Sequence, residues 1–401
     1  MGNLLLVLNA GSSSLKFGVF SEADGAVGDR VLKGRLEGLG VRPRLVAMNA
    51  SGGVLVDRSY EAGQVKDHDQ AIGVLSAWLQ SSGDHGVLVA AGHRVAHGGV
   101  RFVDPVLIDD EVLSELDRLA PLAPLHQPAN IAGIRALRAR RPELPQVACF
   151  DTAFHRRHSE IADRFALPEG LYREGVRRYG FHGLSYDYIA RLLPVVAPEI
   201  AARKVVVAHL GNGASLCGIE GGRSVDTTMA FSSLDGLPMG TRCGALDPGV
   251  LIYLLRDKGM SIAAVETLLY TQCGLLGLSG VSSDMRDLEA SAAPSAKLAL
   301  DYYVYHVCRQ IASLAGAMVG IDAIVFTAGI GEKSRKIRRQ VCGRLAWLGI
   351  ELDDAANEAD GPRISRAESR VSVWVVPTDE EAAIAGYTAE FLRAARPGHA
   401  H

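Results

Sequence analysis

No Gly-Lys dipeptide occurs anywhere in the 401 residues, which excludes the phosphate loop that ends on Gly-Lys-Ser/Thr. None of the Gly-x-Gly steps has a further glycine three residues on, so the dinucleotide-binding fingerprint is missing as well. The six cysteines (Cys149, Cys217, Cys243, Cys273, Cys308, Cys342) form no CxxC pair and stand at no zinc-type spacing from histidine; they read as reduced, mostly buried thiols. No apolar run approaches the ~20 residues that span a bilayer, and the opening MGNLLLVLNA has neither a basic n-region nor a small-residue cleavage site. A cytoplasmic chain without a membrane partner is the expectation. A dominant charge of one sign is also lacking: a net charge of -3 at pH 7 offers nucleic acid no attractive field.

What remains is 48% hydrophobic and 22% charged, enough chain for two cores of ordinary size. Short apolar runs at residues 4 to 8, 86 to 92, 147 to 150, 204 to 210, 323 to 329 and 371 to 376 read as buried strands. Between them lie helical patterns: DDEVLSELDRLA with acids in its first turn, PANIAGIRALRARR with Pro128 near its start, and a long one beginning SAKLALDYY. Strands alternating with helices predict an α/β fold. Residues 22 to 68, rich in glycine and charge, allow only short strands. Two segments echo each other. LNAGSSSLKFGVF and HLGNGASLCGIEGG share an apolar strand, a small-residue turn with Asn and Gly, a Ser-Leu pair and a second apolar strand, so one hairpin is used twice.

Three strands end in glycine-bearing turns, at residues 9 to 11, 211 to 213 and 329 to 331. Such turns at strand carboxyl ends are where open α/β sheets bind ligands, and small residues let backbone approach phosphate oxygens. In the first turn the Ser12 and Ser14 hydroxyls can donate to phosphate and Lys16 can neutralise it. Asn9 can reach a hydrated Mg²⁺, which takes few protein ligands. The same residues would also suit a plain hairpin with a solvated lysine. Arg94, between two histidines and just before a glycine pair, and Arg242 in MGTRCGALDPG sit in surroundings where an arginine needs an anion. Two such cations suit phosphoryl transfer. Asp151 at a strand end and His182 between Phe181 and a glycine read either as site residues or as satisfied structural ones. The basic run Lys333, Arg335, Lys336, Arg338, Arg339 reads as a solvated helix face.

Ten ordered segments, LNAGSSSLK, GHRVAHGG, PLAPLHQPANI, FDTAFH, RYGFHGLS, HLGNGASL, MGTRCGALDPG, LSGVSSDMRD, FTAGIGE and PTDEEAAIA, run from residue 8 to residue 385. They resemble the successive motifs of the acetate and propionate kinase family. The resemblance implies an α/β architecture of two ribonuclease-H-like (actin-like ATPase) βββαβαβα domains with ATP in the cleft between them. It implies domain I at 1–153 plus 382–401, domain II at 154–381, and a homodimer. Carried over, Asn9 and Glu380 resemble the magnesium pair, with Glu381 the competitor and Mn²⁺ an alternative ion. Ser12, Ser14 and Lys16 resemble one phosphate loop, and His209, Leu210, Gly211, Asn212 and Gly213 the other. Asp284, Met285 and Arg286, with Gly329, Ile330, Gly331, Glu332 and Lys333, resemble the adenosine site for ATP or ADP. Arg94, Asp151, His182 and Arg242 resemble the catalytic group, and Arg94, Ala96, Leu125, His126, Phe181 and Ser233 the acyl site.

A carboxylic acid is already ionised at pH 7, so an acyl kinase needs no general base, whereas a sugar kinase needs an Asp to take a hydroxyl proton. On the acyl reading Arg94 and Arg242 clamp two mutually repelling anions in line, His182 donates to an equatorial oxygen, and Asp151 orients an arginine or assists the metal. The sugar-kinase reading makes Asp151 the base. Four positions depart from the family pattern: Ala96 where Val is usual, Ser233 where Pro is common, Gln127 within His126-Gln127-Pro128, and Lys333 where Asn is frequent. Ala96 predicts an acyl pocket with room for about one more carbon, hence good turnover of propionate.

Overall fold

A computed structural model describes residues 2–82 and 86–395. The chain forms two compact units, one holding residues up to Phe154 together with those from Asp379 onward, the other His155–Thr378.

In the first unit eight strands, β1 (Asn3–Gly11), β2 (Ser14–Ala23), β3 (Ala26–Glu37), β4 (Arg44–Asn49), β5 (Val54–Ser59), β6 (Val87–Val95), β7 (Val106–Leu107) and β8 (Gln146–Phe150), make one sheet in the order β5-β4-β3-β2-β1-β6-β8-β7. β1 is antiparallel to β2 and parallel to β6, which is parallel to β8. The apolar run at residues 4 to 8 is buried along its length because the sheet is covered on both faces. Helices His68–Ser81 and Gln127–Arg140 pack against β2, β1 and β6, and helix Glu380–Ala395 against β1, β3 and β6. Gly92 shows how close that last helix comes: a Cβ there would meet Thr388 Oγ1 at 2.3 Å and Ile384 Cγ2 at 2.5 Å. On β1, a Cβ at Gly133 of helix Gln127–Arg140 would lie 3.1 Å from Ala10. The loosely read stretch from residue 22 holds a twelve-residue strand, β3. Its register against β2 shifts twice, at Val19/Phe20 and Phe20/Glu22, and these irregularities erase the alternation by which a strand is recognised.

In the second unit β9 (Lys204–Leu210), β10 (Ala214–Glu220), β11 (Arg223–Thr227), β12 (Ala323–Thr327) and β13 (Ser372–Val375) form the order β11-β10-β9-β12-β13. The hairpin β9–β10 is antiparallel, and β12 runs parallel to both β9 and β13. This repeats the arrangement β3-β2-β1-β6-β8 of the first unit, and the repeated hairpin lies at the same place in each sheet. The core gathers Val206, Ala208, Ile324 and Phe326 from the sheet with Tyr303, Val307 and Ile311 of helix Pro294–Ala317.

Candidate active site

In the first unit the functional side chains converge at the carboxyl ends of β1, β6 and β8. Arg94 and Asp151 form the central pair: Arg94 Nε donates to Asp151 Oδ1 and Oδ2 at 3.2 and 3.1 Å, and Nη2 donates to Oδ2 at 2.5 Å. Arg94 Nη1 also donates to Asn9 Oδ1 at 3.4 Å, and Glu380 Oε2 lies 3.9 Å from Arg94 Nε. The Asp151 side chain is 3% exposed and that of Arg94 27%, so the pair is buried on the carboxylate side and open on the guanidinium side. Burial works against the Arg94 charge, but Asp151 and Glu380 outweigh it and hold the guanidinium firmly protonated. Burial pushes the Asp151 carboxyl above its ordinary value against the pull of Arg94. The neighbouring His93 is buried against Gln146 Oε1, and burial lowers it to about 4; at neutral pH it carries no charge beside Arg94.

The turn between β1 and β2 leaves Ser12 exposed and Ser14 half-buried. Lys16, exposed, is the cross-strand partner of Asn9, which places both side chains on the face where Glu380 and Arg94 lie. Two further residues, His68 and Asn130, hold this turn. His68 Nε2 is 2.8 Å from Gly11 O, and Asn130 donates to Ala10 O at 2.6 Å while accepting from Ala96 N at 2.9 Å. Gln127, fully buried, accepts from His97 N and donates back to His97 O, so it braces the stretch just after Arg94. The two candidate glutamates have different neighbours. Glu381 pairs with Arg30 at 3.4 Å and burial raises its carboxyl, whereas Glu380 Oε2 faces Arg94. Ala96 is buried, while Leu125 and His126, before helix Gln127–Arg140, are exposed.

In the second unit the turn Gly211–Gly213 joins β9 to β10 and is closed by Gly211 N donating to Gly213 O. A Cβ on Gly213 would fall 3.0 Å from Arg242 Nη2 and 3.4 Å from His182 Nε2; turn, guanidinium and imidazole therefore meet at one point. Arg242 is anchored by Nη1 donating to Ser233 O at 2.9 Å. His182 has φ 57 ψ 22 at the start of helix Gly183–Val196, a left-handed conformation that a non-glycine residue holds only where its surroundings enforce it. Its ring stacks on His209 with centroids 4.2 Å apart. Its Nδ1 lies 2.8 Å from Ser215 Oγ, which is 2.5 Å from the Tyr186 hydroxyl, and His209 Nδ1 lies 2.8 Å from Ser185 Oγ. These serines and Tyr186 escaped the sequence reading, although Ser185 and Ser215 lie inside quoted motifs. Phe181 and Leu210 are core residues.

Beside this turn is a cavity of about 460 Å³ lined by Gly211, Asn212, Ser283, Asp284, Met285, Arg286, Glu289, Gly329, Ile330, Lys333 and Ser334. Gly331 and Glu332 lie behind its wall: Gly331 is buried and Glu332 Oε1 accepts from Thr378 N. Arg286 binds both carboxylate oxygens of Asp284 and, with the helix backbone, draws that carboxyl down to about 2. The basic run is exposed at Lys333, Arg335, Lys336 and Arg339 and departs from a solvated face at Arg338. Arg338 is fully buried and donates to the carbonyls of Gly331, Glu332 and Asn357, to Asn357 Oδ1 and to Asp360 Oδ1. Arg335 pairs with Asp360, and Arg339 with Asp354 and Glu358. These acids follow fifteen or more residues later in the chain, too far for a local pattern to show.

Two sheets with a repeated strand order, each led by a hairpin whose turn is built of small residues, define a protein of the actin-like ATPase class. A model of the acetokinase family matches residues 4–386. An acetate kinase of Nitrobacter hamburgensis is 55% identical over 389 residues, covering 97% of this chain and 96% of its own. The solved acetate kinase of Porphyromonas gingivalis superposes with a TM-score of 0.88 at 37% identity, over 97% of this chain and 100% of that one. A propionate kinase from Francisella tularensis superposes with a TM-score of 0.89 at 35% identity, over 96% of this chain and 99% of that one. The chain belongs to the acetokinase family.

Proposed function

We infer that this protein catalyses reversible phosphoryl transfer between ATP and acetate, giving acetyl phosphate and ADP. The observation that carries the reading is the near full-length identity to an acetate kinase, and the geometry of Asp151 supports it. With both oxygens taken up by Arg94, that carboxylate is placed to orient a cation rather than to accept a hydroxyl proton, and an ionised acyl acceptor requires no base.

In this reading Arg94, aimed by Asp151, neutralises the substrate carboxylate, and Arg242, anchored on Ser233 O, meets the transferring phosphoryl group. His182 donates to an equatorial oxygen as charge migrates, its orientation set by Ser215. Transfer is direct and in line, without a phosphoenzyme. The cavity of the second unit holds the adenosine of ATP, with Gly211–Gly213 and the turn at Ser12 and Ser14 on its phosphates and Lys16 sharing their charge. Asn9 and Glu380 present two hard oxygen donors on one face, a set that fits Mg²⁺ with its remaining waters; Mn²⁺ suits the same donors. The ion would supply charge neutralisation on the phosphate oxygens. Among the described residues no helix is long and apolar enough to cross a membrane, and a cytoplasmic enzyme is proposed. A homodimer is proposed as well: helix Pro248–Arg256 buries none of its residues, and Val250, Ile252, Tyr253 and Leu255 are exposed, a surface that a second copy would cover.

Hydroxylamine trapping tests the reading. ATP-dependent formation of a hydroxamate from acetate is expected, because only an acyl phosphate yields one. Phosphorylation of a sugar or polyol with no hydroxamate would replace it with the kinase in which Asp151 is the base.

A further inference from the structure

The cavity at Gly211 and Asn212 has few polar side chains left to recognise a ligand. Asp284 is committed to Arg286 through both oxygens. Asn212 turns its amide oxygen to Gly240, where a Cβ would come within 2.1 Å of it and within 3.1 Å of Ser283 O. Glu289 differs. Its Oε1 accepts the Ser334 hydroxyl proton at 2.5 Å, and the same hydroxyl oxygen accepts from Ile337 N at 3.1 Å as the cap of helix Arg335–Arg344. The cap fixes the direction in which the serine points its proton. A long side chain that would otherwise lose rotamer freedom on binding a ligand is thereby ordered in advance. Among the described residues Glu289 Oε2 has no protein partner.

Position within the cavity says which part of a nucleotide meets it. Asn212 and Ser283 adjoin one another across Gly240, so the phosphate-binding turn lies at the start of the short helix Met285–Ala290. Glu289 is one turn further on, about 6 Å along the helix axis from Met285. A nucleotide with its phosphates at the turn directs its base toward Glu289.

We propose that Glu289, held by Ser334, is a specificity-determining residue that accepts a hydrogen bond from the 6-amino group of adenine. A carboxylate only accepts, so it favours a base that presents a donor at that position. The proposal rests on the cavity being the nucleotide site.

The test compares ATP with purine riboside triphosphate, which differs only in lacking the 6-amino group, in acetate-dependent hydroxamate formation. A hydrogen bond to a charged acceptor corresponds to about a ten- to hundredfold preference for ATP in kcat/KM. In Glu289→Met, near-isosteric but without acceptors, this preference is expected to shrink to about twofold or less, with the loss appearing in the KM for ATP. Glu289→Gln, which can keep the Ser334 bond through its amide oxygen, is expected to lose the preference too. If Glu289 only braced the wall, both nucleotides would suffer equally and the ratio would stay; an unchanged ratio in either variant overturns the proposal. A wild-type enzyme that uses the two nucleotides equally overturns it while leaving the acyl-kinase reading standing. Absence of any ATP-dependent hydroxamate overturns that reading and the proposal with it.

Discussion

Arg94→Ala should damage the protein in two separable ways. Asp151 is 3% exposed and its side-chain partner is Arg94, through Nε and Nη2; Glu380 adds a like charge nearby. Removing the guanidinium strands a buried carboxylate, at a cost of about 3–5 kcal/mol. For a unit of this size that is a fall of roughly 6–20 °C in its unfolding temperature. Asp151 can limit the damage by taking up a proton, which gives the loss a pH signature. Its folded pKa is already raised by burial and rises further without Arg94. A group raised in the folded state stabilises below its unfolded value, about 3.9 for Asp, and that stability is lost as pH rises through the folded value. The deficit of the variant is therefore smallest near pH 4 and grows as pH rises. Adding Asp151→Asn removes the stranded charge and should recover most of the stability at pH 8. It should not recover turnover, which falls by about 10³–10⁵ when a transition-state arginine is lost. Unfolding of the single and double variants at several pH values, with hydroxamate formation beside it, reads both effects. A pH-independent deficit, or no deficit, would refute the buried-pair account. Near-normal turnover in either variant would remove Arg94 from the reaction.

Three further outcomes are expected. Ala96→Val should shift the kcat/KM ratio of acetate to propionate toward acetate by roughly tenfold or more, the effect of about one methylene in an apolar pocket; an unchanged ratio would place Ala96 outside the acyl site. Arg338→Met deprives the Gly331 and Glu332 carbonyls of their donor and should lower the unfolding temperature of the second unit and raise the KM for ATP, with added ADP restoring part of the stability by mass action. Calorimetry with and without ADP checks this. Ile252→Asp combined with Leu255→Asp places charge on the exposed helix Pro248–Arg256; sedimentation should show a dimer for the unaltered chain, as proposed, and monomer for the variant.

The paired hairpins were legible because β1 and β9 each carry an unbroken apolar run that leads into a turn of small residues. The family was legible because its motifs lie in order along the chain. The ion pair of Arg94 and Asp151 was half legible. Each residue stood out at a strand end, but their bidentate contact depends on β6 lying beside β8, a pairing that no local pattern encodes. That Glu380 faces Arg94 while Glu381 faces Arg30 depends on how helix Glu380–Ala395 lies against the sheet, since successive helix positions point about 100° apart.

Arg338 marks the boundary. By composition and period it belongs to a wet helix face, and the other four basic residues of the run, Lys333, Arg335, Lys336 and Arg339, are exposed. It is buried because Asn357 and Asp360 bring acceptors from a distant segment to the point where the carbonyls of Gly331 and Glu332 need a donor. Residue types and their spacing along one strand or turn determined which chemistry this chain can perform. Folding decided which carboxylate meets which cation and which polar groups lose their water, because desolvation and Coulomb energy depend on distances between segments that are remote in sequence.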